Sequence, residues 1–275
     1  MFTLNCKGRL FVIERPIVMG IINVTPDSFY VGSRKSVTDD VLRQAEKMLT
    51  KGAAIIDIGG QSTRPGSTEL TAEEELSRVI PAIEAICLRF PECFISIDTY
   101  HSAVAKEAVI AGASLVNDIS SGTLDEKMIA VVASLQVPYI AMHMKGTPAT
   151  MQQYANYEDV TLEVLDFFVK KTEECKQAGI NDVIVDVGFG FAKTIQHNFT
   201  LLKNLSIFKI FQRPLLAGLS RKGTVYKTLR TTPEEALNGT TVLNTIALQN
   251  GAHILRVHDV KEAMEAVKLI EALGR

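Results

Sequence analysis

Apolar residues in this chain return in short runs, and between the runs apolar positions recur every three or four residues. The runs occupy 17–22, 54–58, 94–97, 115–116, 137–142, 183–185, 214–217 and 254–257 and are rich in Val and Ile. Runs without polar alternation predict strands covered on both faces, as in a parallel sheet. The three- and four-residue spacing predicts helices at 38–51, 71–89, 102–111, 124–134 and 158–178. Three later helices follow, of which 234–250 and 260–273 have legible ends. Thr232-Pro233 opens the former and Gly251 closes it, because proline suits the first helical position and glycine the residue past the last.

Eight strand-then-helix units with no Ser/Gly-rich linker between them predict a single (β/α)8 TIM barrel rather than an open sheet. A length of 275 residues suits that reading, since such barrels take about 250. Residues 1–14 precede the first unit and predict a short β-hairpin that closes the barrel bottom, leaving residues 1–275 as one domain.

Composition narrows the function. The chain is 47% hydrophobic and 22% charged, with a formal net charge of −2, so no broad basic field steers it to nucleic acid or an anionic membrane. No apolar run approaches the roughly 20 residues of a membrane span. Cys6, Cys87, Cys93 and Cys175 lack zinc-site spacing, and no secretory leader is legible, so they are expected to be reduced in a cytoplasmic protein. The sequons at Asn23 and Asn238 are then chance matches.

Strand carboxyl ends face the mouth of a barrel, where ligands bind, and every expected strand here ends polar. The ends carry Asn23; Asp57; Asp98; Asn117 with Asp118; His143; Asp186; Ser220 with Arg221 and Lys222; and Arg256 with His258. Isolated Asp or Ser residues at such places are often helix caps, and Asp118 taken alone fits that role equally well. As a set, the carboxylates and amides suit a flat, amide-rich heterocycle and the cations suit phosphate oxygens. Asp98 and Asp186 alternatively form a general acid/base pair.

The loops 23–30 and 59–66 combine Pro, Gly and polar residues, which is either ordinary turn chemistry or a pair of lids; Phe29 and Arg64 favour lids. Gly188-Phe189-Gly190-Phe191-Ala192-Lys193-Thr194 lacks the glycine spacing of a phosphate-binding P-loop and reads as a tight connection using glycine for backbone room. His101, His197 and His253 fall at a helix start, in a helix and at a strand start, and receive no chemistry.

At these residues the chain resembles the dihydropteroate synthase family. The resemblance rests on Asn23-Val24-Thr25-Pro26-Asp27-Ser28-Phe29, Ser62-Thr63-Arg64-Pro65-Gly66, Ile97-Asp98-Thr99, Val116-Asn117-Asp118, Met142-His143-Met144-Lys145-Gly146-Thr147-Pro148, Gly188-Phe189-Gly190-Phe191, Ser220-Arg221-Lys222 and Arg256-Val257-His258-Asp259, in the family's order. It implies a Mg²⁺-dependent enzyme that joins 6-hydroxymethyl-7,8-dihydropterin pyrophosphate to p-aminobenzoate, expelling pyrophosphate first. It also implies a homodimer open to sulfonamide inhibitors.

The resemblance further implies that Asp98, Asn117, Met142, Asp186, Lys222 and Arg256 bind the pterin. Phe29, Thr63, Pro65 and Ser220 receive p-aminobenzoate. Asn23, Arg64, Arg256 and His258 hold the pyrophosphate, with Asn23 also on Mg²⁺. Lys222, Arg256, Asp98, Asp27 and Phe29 make up the catalytic set. The chain departs from the family at Val31, where an acidic residue is usual, and at Val187, Ala192 and Gly223, where proline, glycine and serine are usual. A related pterin-binding barrel, the methyltetrahydrofolate–corrinoid methyltransferase, is the alternative reading, though it has little use for a pyrophosphate cluster. A catalytically silent scaffold is the other, and the intact polar rim disfavours it.

Overall fold

Residues 1–24, 34–61 and 70–274 are described by a computed structural model, the side chains of 34–36 excepted. The chain opens with β1 (Phe2–Cys6) and β2 (Arg9–Ile13), paired antiparallel. Lys7 and Gly8 between them both have positive φ, 57° and 84°, the mirror-image turn that matches the twist of a two-residue hairpin. Eight parallel strands follow: β3 (Ile17–Asn23), β4 (Ile55–Gly59), β5 (Phe94–Asp98), β6 (Leu115–Asp118), β7 (Tyr139–Met142), β8 (Val183–Asp186), β9 (Leu215–Ala217) and β10 (Ile254–Val257). They pair in sequence order, and β10 pairs with β3 to close the barrel.

Helices lie between the strands and after the last: α1 (Arg34–Thr50), α2 (Ala72–Arg89), α3 (Ser102–Ala111), α4 (Met128–Leu135), α5 (Val160–Ala178), α6 (Ile195–Lys203), α7 (Gly223–Leu229), α8 (Leu237–Gln249) and α9 (Val260–Ala272). None is long and apolar enough to cross a membrane.

Two-residue periodicity along each strand divides the barrel into an outer sheath and an interior. Ile56, Ile58, Ile95, Ile97, Val116, Ala141, Val185 and Leu255 face outward into one continuous core with the helices. The intervening positions Met19, Ile55, Leu115, Ile140, Ile184, Leu216 and Ile254 gather inside, with Leu4, Cys6 and Ile13 of the hairpin among them. The hairpin therefore closes the barrel bottom, as the sequence predicts. Each buried aliphatic side chain contributes about 2 kcal/mol, so this floor holds the strands together without help from the mouth. Two residues further along the same strands, the interior positions become Asp57, Asn117, Met142, Asp186, Gly218 and Arg256. An apolar plug below and a polar group above is thus written into β4, β6, β8 and β10.

Three expected helix starts move: α1 opens at Arg34 rather than 38, and α8 and α4 open later than expected. The carbonyls of Pro233 and Glu234, which a helix opening at 234 would use internally, instead accept from Arg221 Nη1 at 2.8 and 2.7 Å, so α8 begins at Leu237. The helix expected from 124 begins at Met128 because Asp125 is otherwise engaged: its carboxylate accepts from the Ser102 N–H at 2.7 Å and the Lys127 N–H at 3.0 Å, capping α3 from the neighbouring unit. The four cysteines are free thiols.

Asp118 serves the fold rather than the mouth. Buried on the outer face of β6, it accepts from the backbone and hydroxyl of Ser120, from Gly122 N–H and from Tyr139 Oη, each at 2.7 Å. Asp118→Ala leaves these donors unpaired and is expected to cost about 3 kcal/mol, read as a lower urea midpoint; a loss below about 1 kcal/mol overturns the assignment.

Candidate active site

The interior positions of β4, β6 and β10 converge on one carboxylate. Asp57, fully buried, accepts from Arg256 Nε at 2.6 Å and from Asn117 Nδ2 at 3.2 Å. Arg256 Nη2 simultaneously donates to Asp98 Oδ2 from β5. One guanidinium thus spans the barrel mouth between two carboxylates, which fixes its plane. Because Asn117 gives its N–H to Asp57, its carbonyl oxygen is the group left to accept from a ligand.

A second pair stands beside the first. Asp186 at the end of β8 accepts from the Gly188 N–H at 2.8 Å. Lys222 donates to the Phe189 carbonyl at 2.6 Å, and its Nζ stands 4.7 Å from the centre of the Phe191 ring. Lys222 Nζ and Asp186 Oδ2 lie 3.5 and 4.0 Å from where a Cβ on Gly218 would sit, so both face one patch of bare backbone. Gly188 has φ +72°, and a side chain there would strike the His143 carbonyl. That is the backbone room expected of this loop. Met142, 3% exposed, lies in an apolar cluster with Tyr100, Ile119, Met151, Phe191 and Ala192, which gives the polar set a hydrophobic wall.

Burial sets the electrostatics. It pushes Asp98 up to about 7 against the pull of Arg256, raises Asp186 against the pull of Lys222, and brings Lys222 down to about 8 against Asp186. For Arg256 burial works downward, yet Asp57 and Asp98 hold it above the ordinary value. The mouth is therefore a mixed-charge surface whose carboxylates are nearly balanced by two cations, suited to a polar ring with donors on one edge and acceptors on another.

The remaining expected residues divide. Ser220 and His258 are bonded to each other, Oγ to Nδ1 at 3.0 Å and the His258 N–H to Oγ at 3.2 Å. Asn23 Oδ1 and Asp98 Oδ2 lie 3.6 and 3.7 Å from the place a Cβ on Gly59 would occupy, so two oxygens border one small space. That donor chemistry fits Mg²⁺, which takes one or two protein oxygens and completes its shell with water and substrate. Among the described residues no group of three or more His, Cys, Asp or Glu gathers around a metal-sized space. Asp27, Phe29, Thr63, Arg64 and Pro65, with Val31, lie outside the described residues.

Arg221, a mouth cation in the sequence, is occupied elsewhere: it grips Asp259 through Nε and Nη2 at 2.8 and 2.9 Å. Asp57 sits at the rim as expected, but nothing in its sequence position distinguishes it as the hub. The sequence also gives no sign of the buried Lys193, whose Nζ donates to the carbonyls of Phe191 and His143 at 2.9 and 3.2 Å and lies 3.0 Å from His143 Nδ1. Burial and Lys193 together push His143 down to about 2, so its ring is neutral. This pair ties the loop after β7 to the loop after β8. Of the departures, Val187 is in the core, Ala192 takes φ +50° where a glycine would be unstrained, and Gly223 opens α7 with ordinary contact room for a Cβ.

Comparison with known proteins agrees with this geometry. The family model described as "Pterin binding enzyme" matches residues 19–258. The dihydropteroate synthase of Escherichia coli K12 is 44% identical over 271 residues, covering 98% of this chain and 95% of that protein. Among solved structures, the Yersinia pestis dihydropteroate synthase with a sulfonamide drug superposes with TM-score 0.93 at 42% identity, covering 99% of both chains. The Xanthomonas albilineans dihydropteroate synthase with 4-aminobenzoic acid does so with TM-score 0.92 at 38% identity, covering 99% of this chain and 98% of that one. The relatives carry the first of the two pterin readings, not the corrinoid one: the chain belongs to the dihydropteroate synthase family of pterin-binding enzymes.

Proposed function

We propose that this enzyme condenses 6-hydroxymethyl-7,8-dihydropterin pyrophosphate with p-aminobenzoate, releasing pyrophosphate and forming 7,8-dihydropteroate. The observation that carries the reading is the meeting of Asp57, Asp98, Asn117, Asp186, Lys222 and Arg256 over an apolar floor, in a full-length relative of dihydropteroate synthases.

The pterin presents N–H donors along its aminopyrimidine edge and acceptors along the other. Asp186 receives the donors, Asn117 adds its free oxygen, and Lys222 donates to the ring carbonyl and nitrogen. Arg256, held flat by Asp57 and Asp98, offers a stacking face; Met142 packs beside the ring. Asn23, Arg64, Arg256 and His258 surround the pyrophosphate, and Phe29, Thr63 and Pro65 border the arylamine. Asn23, with Asp98 nearby, would hold Mg²⁺, which supplies positive charge against the leaving group when bound.

The arylamine is neutral near pH 7, so no residue must deprotonate it before attack. The demanding event is rupture of the bond between the exocyclic carbon and the pyrophosphate oxygen. Lys222 and Arg256 oppose the negative charge building on the leaving group, while Asp98 and Asp186 offset the positive charge developing on the ring; fixed charge of this kind is the largest contribution in most such sites. Phe29 and Asp27 complete the catalytic set from the first loop. The family resemblance implies a homodimer, and light scattering tests it.

A Mg²⁺-dependent assay with the two purified substrates, run with and without a sulfonamide, is expected to form dihydropteroate and to be inhibited; no product sinks the proposal. Lys222→Ala is expected to lower turnover by on the order of a hundredfold. With Lys222 near pH 8, kcat/KM for the pterin substrate should fall as pH rises through that value, a limb absent from Lys222→Met; persistence of the limb assigns it to another group. Asp98 yields a stability test of opposite sign to activity. Its carboxyl, near 7 when folded, stays protonated over a range where the unfolded chain, at about 4, has released its proton, so ionising it opposes folding as pH rises from about 4 to 7. Asp98→Asn is therefore expected to raise the urea midpoint at pH 8 while abolishing turnover; a lower midpoint means that the bond to Arg256 outweighs burial.

A further inference from the structure

Ser220 and His258 come from the loops after β9 and β10, thirty-eight residues apart, and form a closed pair. The His258 backbone N–H donates to Ser220 Oγ at 3.2 Å, and the same oxygen lies 3.0 Å from His258 Nδ1. Ser220 is 5% exposed, so its own proton must also find an acceptor inside the protein. If Nδ1 carried a hydrogen, both His258 donors would aim at one oxygen, and the hydroxyl proton would have no acceptor among the described residues. If Nδ1 is bare, the hydroxyl accepts from the backbone and donates to the ring, and each group is paired. The second arrangement pairs both the hydroxyl and Nδ1.

We infer that Ser220 is a positioning residue that locks neutral His258 in the tautomer with hydrogen on Nε2, so that the ring presents a donor, not a lone pair, to an anionic oxygen of the pyrophosphate. This rests on the pyrophosphate role of His258 proposed above, and it gives the Ser220 hydroxyl a different employment from the p-aminobenzoate contact that the family resemblance implies. The physical reason is simple. An imidazole with a bare nitrogen toward the mouth would repel the leaving group, and the energy separating two tautomers in solution is too small to choose between them without a fixed partner on the other nitrogen. The backbone bond to Ser220 prevents the hydroxyl from rotating away.

The test uses the whole enzyme labelled with ¹⁵N-histidine, with the His258 signals identified by their loss in His258→Gln. Ring nitrogen shifts report the tautomer directly, above the pH at which the ring protonates. The wild type is expected to show hydrogen on Nε2; Ser220→Ala is expected to populate both tautomers, and Ser220→Thr, which keeps the hydroxyl, to restore the single form. In kinetics, Ser220→Ala should raise KM for the pterin pyrophosphate by about tenfold, the worth of one charge-assisted hydrogen bond, and leave KM for p-aminobenzoate within about twofold. Isothermal titration with inorganic pyrophosphate should weaken in parallel. An unchanged tautomer in Ser220→Ala overturns the inference. So does a shift in KM confined to p-aminobenzoate, which would place the hydroxyl on that substrate. A changed tautomer with unaltered pyrophosphate binding upholds the control of the ring by Ser220 and removes His258 from the pyrophosphate site.

Discussion

One guanidinium facing two buried carboxylates is the constraint on which the mouth of this barrel depends. Arg256 reaches from β10 to Asp57 on β4 and Asp98 on β5, strands on the far side of β3. Such an arrangement is not a device for stability: desolvating three charges is costly, and replacing them with apolar groups often leaves a fold as stable or more so. Its value lies in geometry. A planar cation clamped at two edges cannot swing, and the same Asp57 that clamps it takes the Asn117 side-chain N–H, which leaves the Asn117 oxygen as an acceptor. Two side chains at the mouth are thus oriented by one buried carboxylate.

The fold tolerates this expense because the strands separate the two tasks along their length. Ile55, Leu115, Ile140, Ile184, Leu216 and Ile254 make a plug with the hairpin, and the outward residues bind the helices. Neither layer uses the polar set. Changes in the mouth therefore act on charge while the plug preserves the barrel, and the unfavourable ionisation of Asp98 is offset by apolar packing elsewhere in the barrel.

The barrel was legible because its signal is periodic. Eight Val- and Ile-rich runs fall within a residue or two of the observed strands, since a strand covered on both faces admits little else. Helix starts were less so: the openings of α4 and α8 are decided by Asp125 and Arg221, whose partners lie in neighbouring units, and no local pattern records that. In the site, the polar residues at strand ends were visible one by one, because the interior period places each at the mouth. Their partners were not. That Asp57 is the hub, that Arg221 is committed to Asp259, and that Lys193 meets His143 across two loops are facts of three-dimensional pairing between residues 38 to 199 positions apart.

Pairing across loops also explains why this mouth can be built from short connections. Lys193 fixes the loop after β8 to the loop after β7, Lys222 holds the Phe189 carbonyl from the loop after β9, and Ser220 joins His258 after β10. Each βα loop from β7 to β10 is therefore bonded to the next. On the other side, Gln61 beyond β4 bonds Tyr100 beyond β5, and Glu75 of α2 accepts from Thr99. Ser220, Lys222 and His258 stand beyond the strand ends, on loops, which are the most mobile parts of a barrel, yet precise recognition of a flat ring needs such groups held to a fraction of an ångström. Buried side-chain bonds between successive loops convert independent connections into linked runs, so that orienting one group restrains its bonded neighbours as well.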